Sequence, residues 1–497
     1  MVLSKTDYLV YRECKKNAWL RKNNPEIYFQ FELSAFEKMI IQAGNTVEIV
    51  ARGLFSSGVL IEGRDKEAQA QTLEHIKKGQ SVLFQAIFEK DGFLAAIDIL
   101  EFNPETNGYS IYEVKSTNEI DEKIHYYDLA FQVNLLRKCG LNVEKINLLH
   151  LNKEYVRIGS LDTESLFVIE DITEIIESLL EEVEIEMEGA LNYISQESLP
   201  EGFCICVYKG RSNHCTCFAI LNPEIPEYSV HDIARIGSSK KKLEELVDSR
   251  IFNVHEVPPH IKLSTIQQNQ VDAHKSEQVL LNKEMITKEL QSLQFPLHFI
   301  DYETLLCAIP RFNRFSPNQQ VPFQYSLHIL NTPDDDPQQF DFLHTELDDP
   351  SNPFVASLRE NIGDKGSVIV WNKPFECGRN KELATRVPEM REFLDSLNDR
   401  VYDLMDIFKK QYYVHKGFRG STSIKKVLPV LVPSLTYKEL GIQDGGSASE
   451  IWNKYTTEDL NENERMKIVQ DLKEYCGMDT YAMYAIWKEL LKLVNAI

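Results

Sequence analysis

The chain of 497 residues contains no apolar run approaching the ~20 residues that a membrane-spanning helix requires. Its opening stretch, "MVLSKTDYLVYRECKK", has no long apolar segment of the signal-peptide kind. Those two absences predict a cytoplasmic chain with no membrane partner. Internal repeats and low-complexity tracts are missing as well, and the composition is that of a globular protein long enough for two or three domains. No G-x-x-x-x-G-K-[ST] occurs, so no built-in translocation motor is expected. Positive charge is also short: 54 Lys and Arg against 76 Asp and Glu leave a formal charge of −22. Surfaces that bind phosphate backbones are usually basic. That objection weakens where clustered carboxylates are neutralised only by divalent ions.

Nine cysteines are present. In a cytosolic chain, metal binding is a better expectation for them than disulfides. Four fall in "CICVYKGRSNHCTC": Cys204, Cys206, Cys215 and Cys217. Cys139, Cys307 and Cys377 are scattered and read as buried thiols. Acidic stretches such as "ESLLEEVEIEMEG" and "NTPDDDPQQ" read as a surface helix and a loop.

Residues 1–22 read as one helix and "AFEKMIIQAGNTVEIVARGLF" as another. A meander of strands follows, with "KDG" and "NPETNG" as turns, then the helix "YYDLAFQVNLLRKCG", ended by Gly140. Polar, helix-rich text from about 230 to 290 reads as a connecting segment. From 295 the pattern restarts, with strands in "FPLHFIDYET", "PFQYSLHIL" and "FDFLHTE". A helix, the strand "SVIVWN" and further helices complete the chain, the order of a ribonuclease H-like fold.

Asp301 and Glu303, one residue apart, share a strand face, because side chains alternate with period two. Like charges held so close imply a cation between them. Downstream, "WNKPFE" carries Asn372 and Glu376 where a strand passes into a helix, and "YCGMDT" sets Tyr475 and Asp479 on one helical face. The three segments, in this order, resemble the motifs of DEDD exonucleases of the DnaQ type, with Glu376 in place of the usual Asp. The resemblance implies two Mg²⁺ or Mn²⁺ ions about 3.5–4 Å apart. Asp301 would touch both, Glu303 and Asp479 one, and Glu376 the outer position, while Tyr475 would orient the attacking water.

In the first half, a gap of fourteen residues separates Asp98 from Glu113-Val114-Lys115. Asp98 and Glu113 can chelate Mg²⁺, and Lys115, on the same strand face as Glu113, can orient water or offset phosphate charge. This is similar to the core of the PD-(D/E)XK nucleases. The resemblance assigns supporting roles to Gln132 on the following helix and Glu48 on an earlier one. "YRECKKNAWL", with Cys14, resembles the early cysteine segment of RecB-type nucleases that carry an iron–sulfur cluster. It implies a [4Fe–4S] cluster on Cys14, Cys206 and Cys215, with Cys204 or Cys217 as the fourth ligand. A zinc site of the four clustered cysteines alone is the alternative, and His214 is read as a polar neighbour.

Across nearly its whole length the chain resembles a bacterial family of predicted RecB-type nucleases with a C-terminal domain of the DEDD kind. Further residues carrying that likeness are "LSKTDYLVYRECKKNAWL", "KGRSNHC" and "GSTSIKKVLP". The expected fold is multidomain α/β. Residues 1–230 form a PD-(D/E)XK core with the cysteine site, and 231–290 a helical connector. Residues 291–497 form a ribonuclease H-like, mixed five-stranded sheet flanked by helices, a 3′–5′ exonuclease. The expected activity is Mg²⁺- or Mn²⁺-dependent hydrolysis of DNA, with RNA as an alternative substrate. The roles to match are DNA repair or phage defence, with a helicase or defence-system protein as partner. Two other readings stand: one live exonuclease centre with the first domain as a nucleic-acid grip, or a non-catalytic scaffold.

Overall fold

The computed structural model describes residues 1–31 and 33–495. It is a mixed α/β chain of two compact units. Unit 1 comprises residues 1–207, 213–224 and 307–319, and unit 2 comprises 208–212, 225–306 and 320–497. Among the described residues no helix is long and apolar enough to cross a membrane.

Unit 1 is built on a seven-stranded sheet. Its strands are β1 (Leu3–Ser4), β2 (Val59–Leu60), β3 (Val82–Lys90), β4 (Phe93–Asn103), β5 (Gly108–Lys115), β6 (Val143–Leu151) and β7 (Phe167–Asp171). They run in the order β2-β3-β4-β5-β6-β7, with β1 pairing parallel to the start of β4. The meander β3-β4-β5 is antiparallel, and β6 joins β5 in parallel after a helical crossover. The five helices that matter here are α1 (Lys5–Glu13), α2 (Lys15–Asn23), α3 (Ala35–Ala51), α4 (Glu122–Lys138) and α5 (Leu180–Ile194). Leu129, Phe131, Val133 and Leu136 of α4 are fully buried with Ile87, Ile97 and Ile111 of the sheet. The acidic α5 adds a buried stripe, Val183, Met187, Ala190 and Ile194, at helical spacing. Val47 and Ala51 of α3 pack in a separate cluster with Leu149 and Leu151 of β6.

The single helix expected over residues 1–22 is two helices. Cys14 has extended backbone (φ −159°, ψ 106°) and is at once the C-cap of α1 and the N-cap of α2. Its N–H still donates to the Val10 carbonyl at 2.9 Å and its carbonyl accepts from Ala18 at 3.1 Å, so the joint costs few hydrogen bonds. Ser4 and Asp7 form a capping box that fixes where α1 begins.

Unit 2 holds a five-stranded mixed sheet in the order β11-β10-β9-β12-β13, and a two-stranded pair, β8 (Leu280–Leu281) with β14 (Tyr413–Val414). The sheet strands are β9 (Leu297–Cys307), β10 (Gln319–Leu330), β11 (Gln338–Leu343), β12 (Ser367–Val370) and β13 (Val401–Asp403). Strands β9, β12 and β13 are parallel, and β10 with β11 is antiparallel. The relevant helices are α6 (Lys373–Arg386), α7 (Ile424–Leu431), α8 (Gly445–Thr457) and α9 (Glu462–Asn495). Alternation along the central strand β9 decides the site. Ile300 and Tyr302 enter the core with Phe354, Leu383 and Leu394. Phe299 instead meets Tyr484 and Trp487 of α9, so Asp301 and Glu303 follow it onto the α9 face. Residues 231–290 belong to unit 2, burying Leu243, Leu246, Val254 and Val271.

Gly366, just before β12, has φ +88°, and a Cβ there would lie 2.0 Å from the Pro296 carbonyl oxygen. Gly366→Ala should therefore destabilise the protein by about 2 kcal/mol or more, through strain and loss of the β9–β12 register. An unchanged urea midpoint would refute this account of the strand pairing.

Candidate functional site

Three elements of unit 2 converge on one carboxylate cluster. Strand β9 supplies Asp301 and Glu303, the first turn of α6 supplies Glu376, and one face of α9 supplies Tyr475 and Asp479. Asp301, Glu303 and Cys476 each offer a ligand atom within 4.8 Å of the others. Cys476 turns its thiol to the Asp301 carbonyl at 3.8 Å, a packing role beside the acids. Glu303, Glu376 and Asp479 are buried, and Asp301 is half-buried.

Burial is the first cause that raises the pKa of each of these acids, and repulsion from neighbouring acids adds to it at Asp301, Glu303 and Glu376. Asp301 is held well above the usual carboxylate range by burial, Asp479, Glu303 and Glu376. Glu303 is held up by burial and Asp479. Glu376 is pushed up to about 8, by burial and by Asp403. Its Oε2 has no hydrogen-bond partner, a costly state for a buried carboxylate oxygen. Asp479 is raised by burial, against hydrogen bonds from Tyr437 and Tyr475. Tyr437 donates to Asp479 Oδ1 at 2.7 Å. Lys425 on α7 stands 5.6 Å and 5.5 Å from the ring centres of Tyr437 and Tyr475. It is the cation that opposes the repulsion at Asp301, Glu303 and Asp479. Arg379, paired with Glu382 at 2.7 Å, acts in the same sense on Glu376. Two cations facing four acids leave room for divalent ions, and the orphaned oxygen of Glu376 fits such a group.

In unit 1 the expected residues also meet, with different electrostatics. Asp98 on β4 accepts from the Val114 N–H at 2.9 Å and from Gln85 at 3.0 Å. Gln85, with left-handed backbone (φ +53°) inside β3, also reaches Glu48 of α3 at 2.7 Å. Glu113 accepts from Lys115 at 2.8 Å, from Lys5 at 3.0 and 3.1 Å, and from Gln132 at 2.8 Å. Asp128, one helical turn before Gln132, receives Lys115 at 2.8 Å and Gln132 at 3.1 Å. Burial alone would raise the Glu113 pKa, but Lys115 and Lys5 pull it well below the usual range. Asp98 is pushed up to about 7 by burial and by Glu113. The two centres therefore differ. In unit 1 two lysines hydrogen-bond Glu113, whereas in unit 2 the cations that offset the acids are Lys425 and Arg379.

Lys5, Gln85 and Asp128 in unit 1, and Lys425 and Tyr437 in unit 2, were not foreseen. Asp128 is legible afterwards as the i−4 neighbour of Gln132. The contact of Gln85 depends on a backbone turn that carries no sequence signal.

The thiols of Cys14, Cys204, Cys206 and Cys215 lie within 4.8 Å of one another, all buried. This places Cys204 in the group and leaves Cys217 out. Cys217 caps a short helix and donates its N–H to Asn17 of α2 at 3.2 Å. Asn222 donates to the Cys204 sulfur at 3.2 Å, favouring its thiolate. His214 stacks on Phe218 and stands outside the sulfur group. A metal–sulfur bond of about 2.3 Å in a tetrahedron puts sulfurs about 3.8 Å apart, close to the 4.0 Å between Cys204 and Cys215. The set fits one tetrahedral ion, and an iron–sulfur cube would need a wider shell.

Residues 298–423 match a family model described as a domain of unknown function, DUF2779. That stretch contains Asp301, Glu303 and Glu376, and ends before Lys425, Tyr475 and Asp479. The chain is 32% identical over 206 residues to the uncharacterized protein MG366 of Mycoplasma genitalium, covering 38% of this chain and 31% of that protein. It is 28% identical over 214 residues to the MG366 homolog of Mycoplasma pneumoniae, covering 39% and 32%. The uncharacterized protein UU173 of Ureaplasma parvum is 29% identical over 217 residues, covering 40% and 31%. The match spans about a third of the length of these curated relatives.

Two outcomes follow from the geometry. An acid with a raised folded pKa binds its proton more tightly folded than unfolded, so stability declines as pH climbs through that interval. For Glu376 the interval runs from an ordinary glutamate's 4.5 to about 8. Chelated protein should lose thermal midpoint across it, and Mg²⁺ or Mn²⁺ should restore the midpoint most at the alkaline end. A flat profile would contradict the buried cluster. For the thiols, protein prepared without oxygen should carry one zinc ion per chain by elemental analysis and no broad visible absorption. Iron with sulfide would point to the cluster instead.

Proposed function

We propose that the chain is a metal-dependent nuclease whose hydrolytic centre is the carboxylate set of unit 2. One observation carries the reading: four acids from three separated segments are gathered with fewer cations, Lys425 and Arg379, to offset them. Bound there, a pair of divalent ions would supply an activated water and neutralise phosphate charge in an in-line displacement. Asp301 and Glu303 present their oxygens from one strand face, and Asp479 and Glu376 approach from two helices. Tyr475 and Tyr437 orient Asp479. Lys425 adds positive charge on the side of the two rings, suited to a substrate phosphate. The order of elements supports a DEDD-type, ribonuclease H-like domain acting on DNA strand ends, with RNA as the second substrate to test.

For unit 1 the arrangement of Asp98, Glu113, Lys115 and Gln132 supports a PD-(D/E)XK-like site. Here the alternative has an observation behind it. Glu113 is already occupied by Lys5, Lys115 and Gln132, so a metal ion must displace one of them, which favours gripping over cutting. For the four thiols the compact sulfur set favours structural zinc over a [4Fe–4S] cluster.

Asp301→Asn should lower Mn²⁺-dependent, stepwise degradation of end-labelled DNA by more than about 100-fold, beyond the cost of an outer-shell partner. Lys115→Ala should leave that activity in place. Equal loss in both variants would mean one shared function, and no cleavage of DNA or RNA by the wild-type protein would refute the hydrolytic reading.

A further inference from the structure

The chain is strongly acidic, yet residues 1–24 hold six cations, Lys5, Arg12, Lys15, Lys16, Arg21 and Lys22, against Asp7 and Glu13. Part of that charge meets at a cavity. A 160 Å³ pocket in unit 1 is lined by Lys5 and Thr6 from the first turn of α1, Arg21 of α2, Arg64, and Asp98. Ligand sites for whole small molecules usually start at about 300 Å³. This cavity is too small for a base with its sugar and large enough for a phosphoryl group. Its cations are not fully spent. Arg21 and Lys22 share one acid, Asp7, at 2.8 and 3.1 Å. Lys5 and Lys115 share Glu113 and Asp128. Arg64 makes no ion pair among the described residues. Among the lining residues three cations, Lys5, Arg21 and Arg64, thus stand against one acid, Asp98. The Ser4 hydroxyl is spent on the Asp7 N–H, and the N–H groups of Lys5 and Thr6, in the first turn, have no acceptor within their helix.

We infer that this cavity binds a phosphate monoester, the terminal phosphate of a nucleic-acid strand. A monoester carries nearly two charges where an internal diester carries one, and only an end group fits the volume. Arg64 is the residue with a free guanidinium fork for it. The strand end, though not the phosphate chemistry, rests on the nuclease reading above.

The test uses the full chain with chelator, so that nothing is cut. Oligonucleotides with a 5′-phosphate, a 3′-phosphate or hydroxyls at both ends are compared by fluorescence anisotropy, for wild type, Arg64→Gln and Arg64→Lys. A phosphate at one end should tighten wild-type binding about tenfold. Arg64→Gln should remove that gain without weakening the hydroxyl-ended strand, and Arg64→Lys should keep part of it. Equal affinity for all three ends in the wild type, or a gain that survives Arg64→Gln, overturns the strand-end assignment. Orthophosphate is titrated separately against the thermal midpoint. Stabilisation of wild type but not of Arg64→Gln supports the cavity as a phosphate site, and an equal effect on both overturns it. Orthophosphate binding with no oligonucleotide binding overturns the nucleic-acid reading and leaves the phosphate site standing.

Discussion

Mutual repulsion among buried carboxylates is the constraint on which unit 2 depends. Asp301, Glu303, Glu376 and Asp479 cannot all ionise in a dry pocket without cations, and yet they are gathered there by rigid elements. Two alternate positions of a central strand, the first turn of a helix that follows a neighbouring parallel strand, and one face of a long helix each give up a packing position to an acid. The surroundings are correspondingly firm. Tyr302 and Ile300 anchor β9 from the opposite face, Phe299 ties it to Tyr484 and Trp487, and two tyrosines hold Asp479. A cluster of this kind costs stability for as long as no further cation offsets it.

Unit 1 meets the same difficulty by another route. Lys5 and Lys115 stand between Glu113 and Asp128, and Gln132 supplies hydrogen bonds to both acids. Glu113 there is held in its ionised form, paired with two lysines before any metal arrives. Two acid clusters in one chain thus differ in electrostatic character, because one has two lysines bonded to its central glutamate and the other has a lysine near a pair of aromatic rings and an arginine acting on Glu376.

Much of this was legible in the sequence where it depended on period and order. The spacing of Asp301 and Glu303 follows from strand alternation, that of Tyr475 and Asp479 from helical repeat, and Gly140 closes α4 with a left-handed residue (φ +86°). What escaped depended on single backbone departures or on long-range meetings. Cys14 breaks what reads as one helix, and the left-handed turn at Gln85 aims an amide at two acids. Lys5 reaches Glu113 across 108 positions. Five candidate cysteines left the fourth thiol open, and only folding separates Cys204 from Cys217, both of them buried.

The joint at Cys14 has a consequence for how this segment can vary. Lys5 and Cys14 bound one helix, the first touching Glu113 and the second the sulfur group, so α1 acts as a spacer of about 13 Å between two fixed points. Losing or gaining one residue inside it would swing Lys5 about 100° around the helix axis and shift it along by about 1.5 Å. Substitution within residues 5–13 is therefore open to drift on the exposed side, whereas the residue count is not.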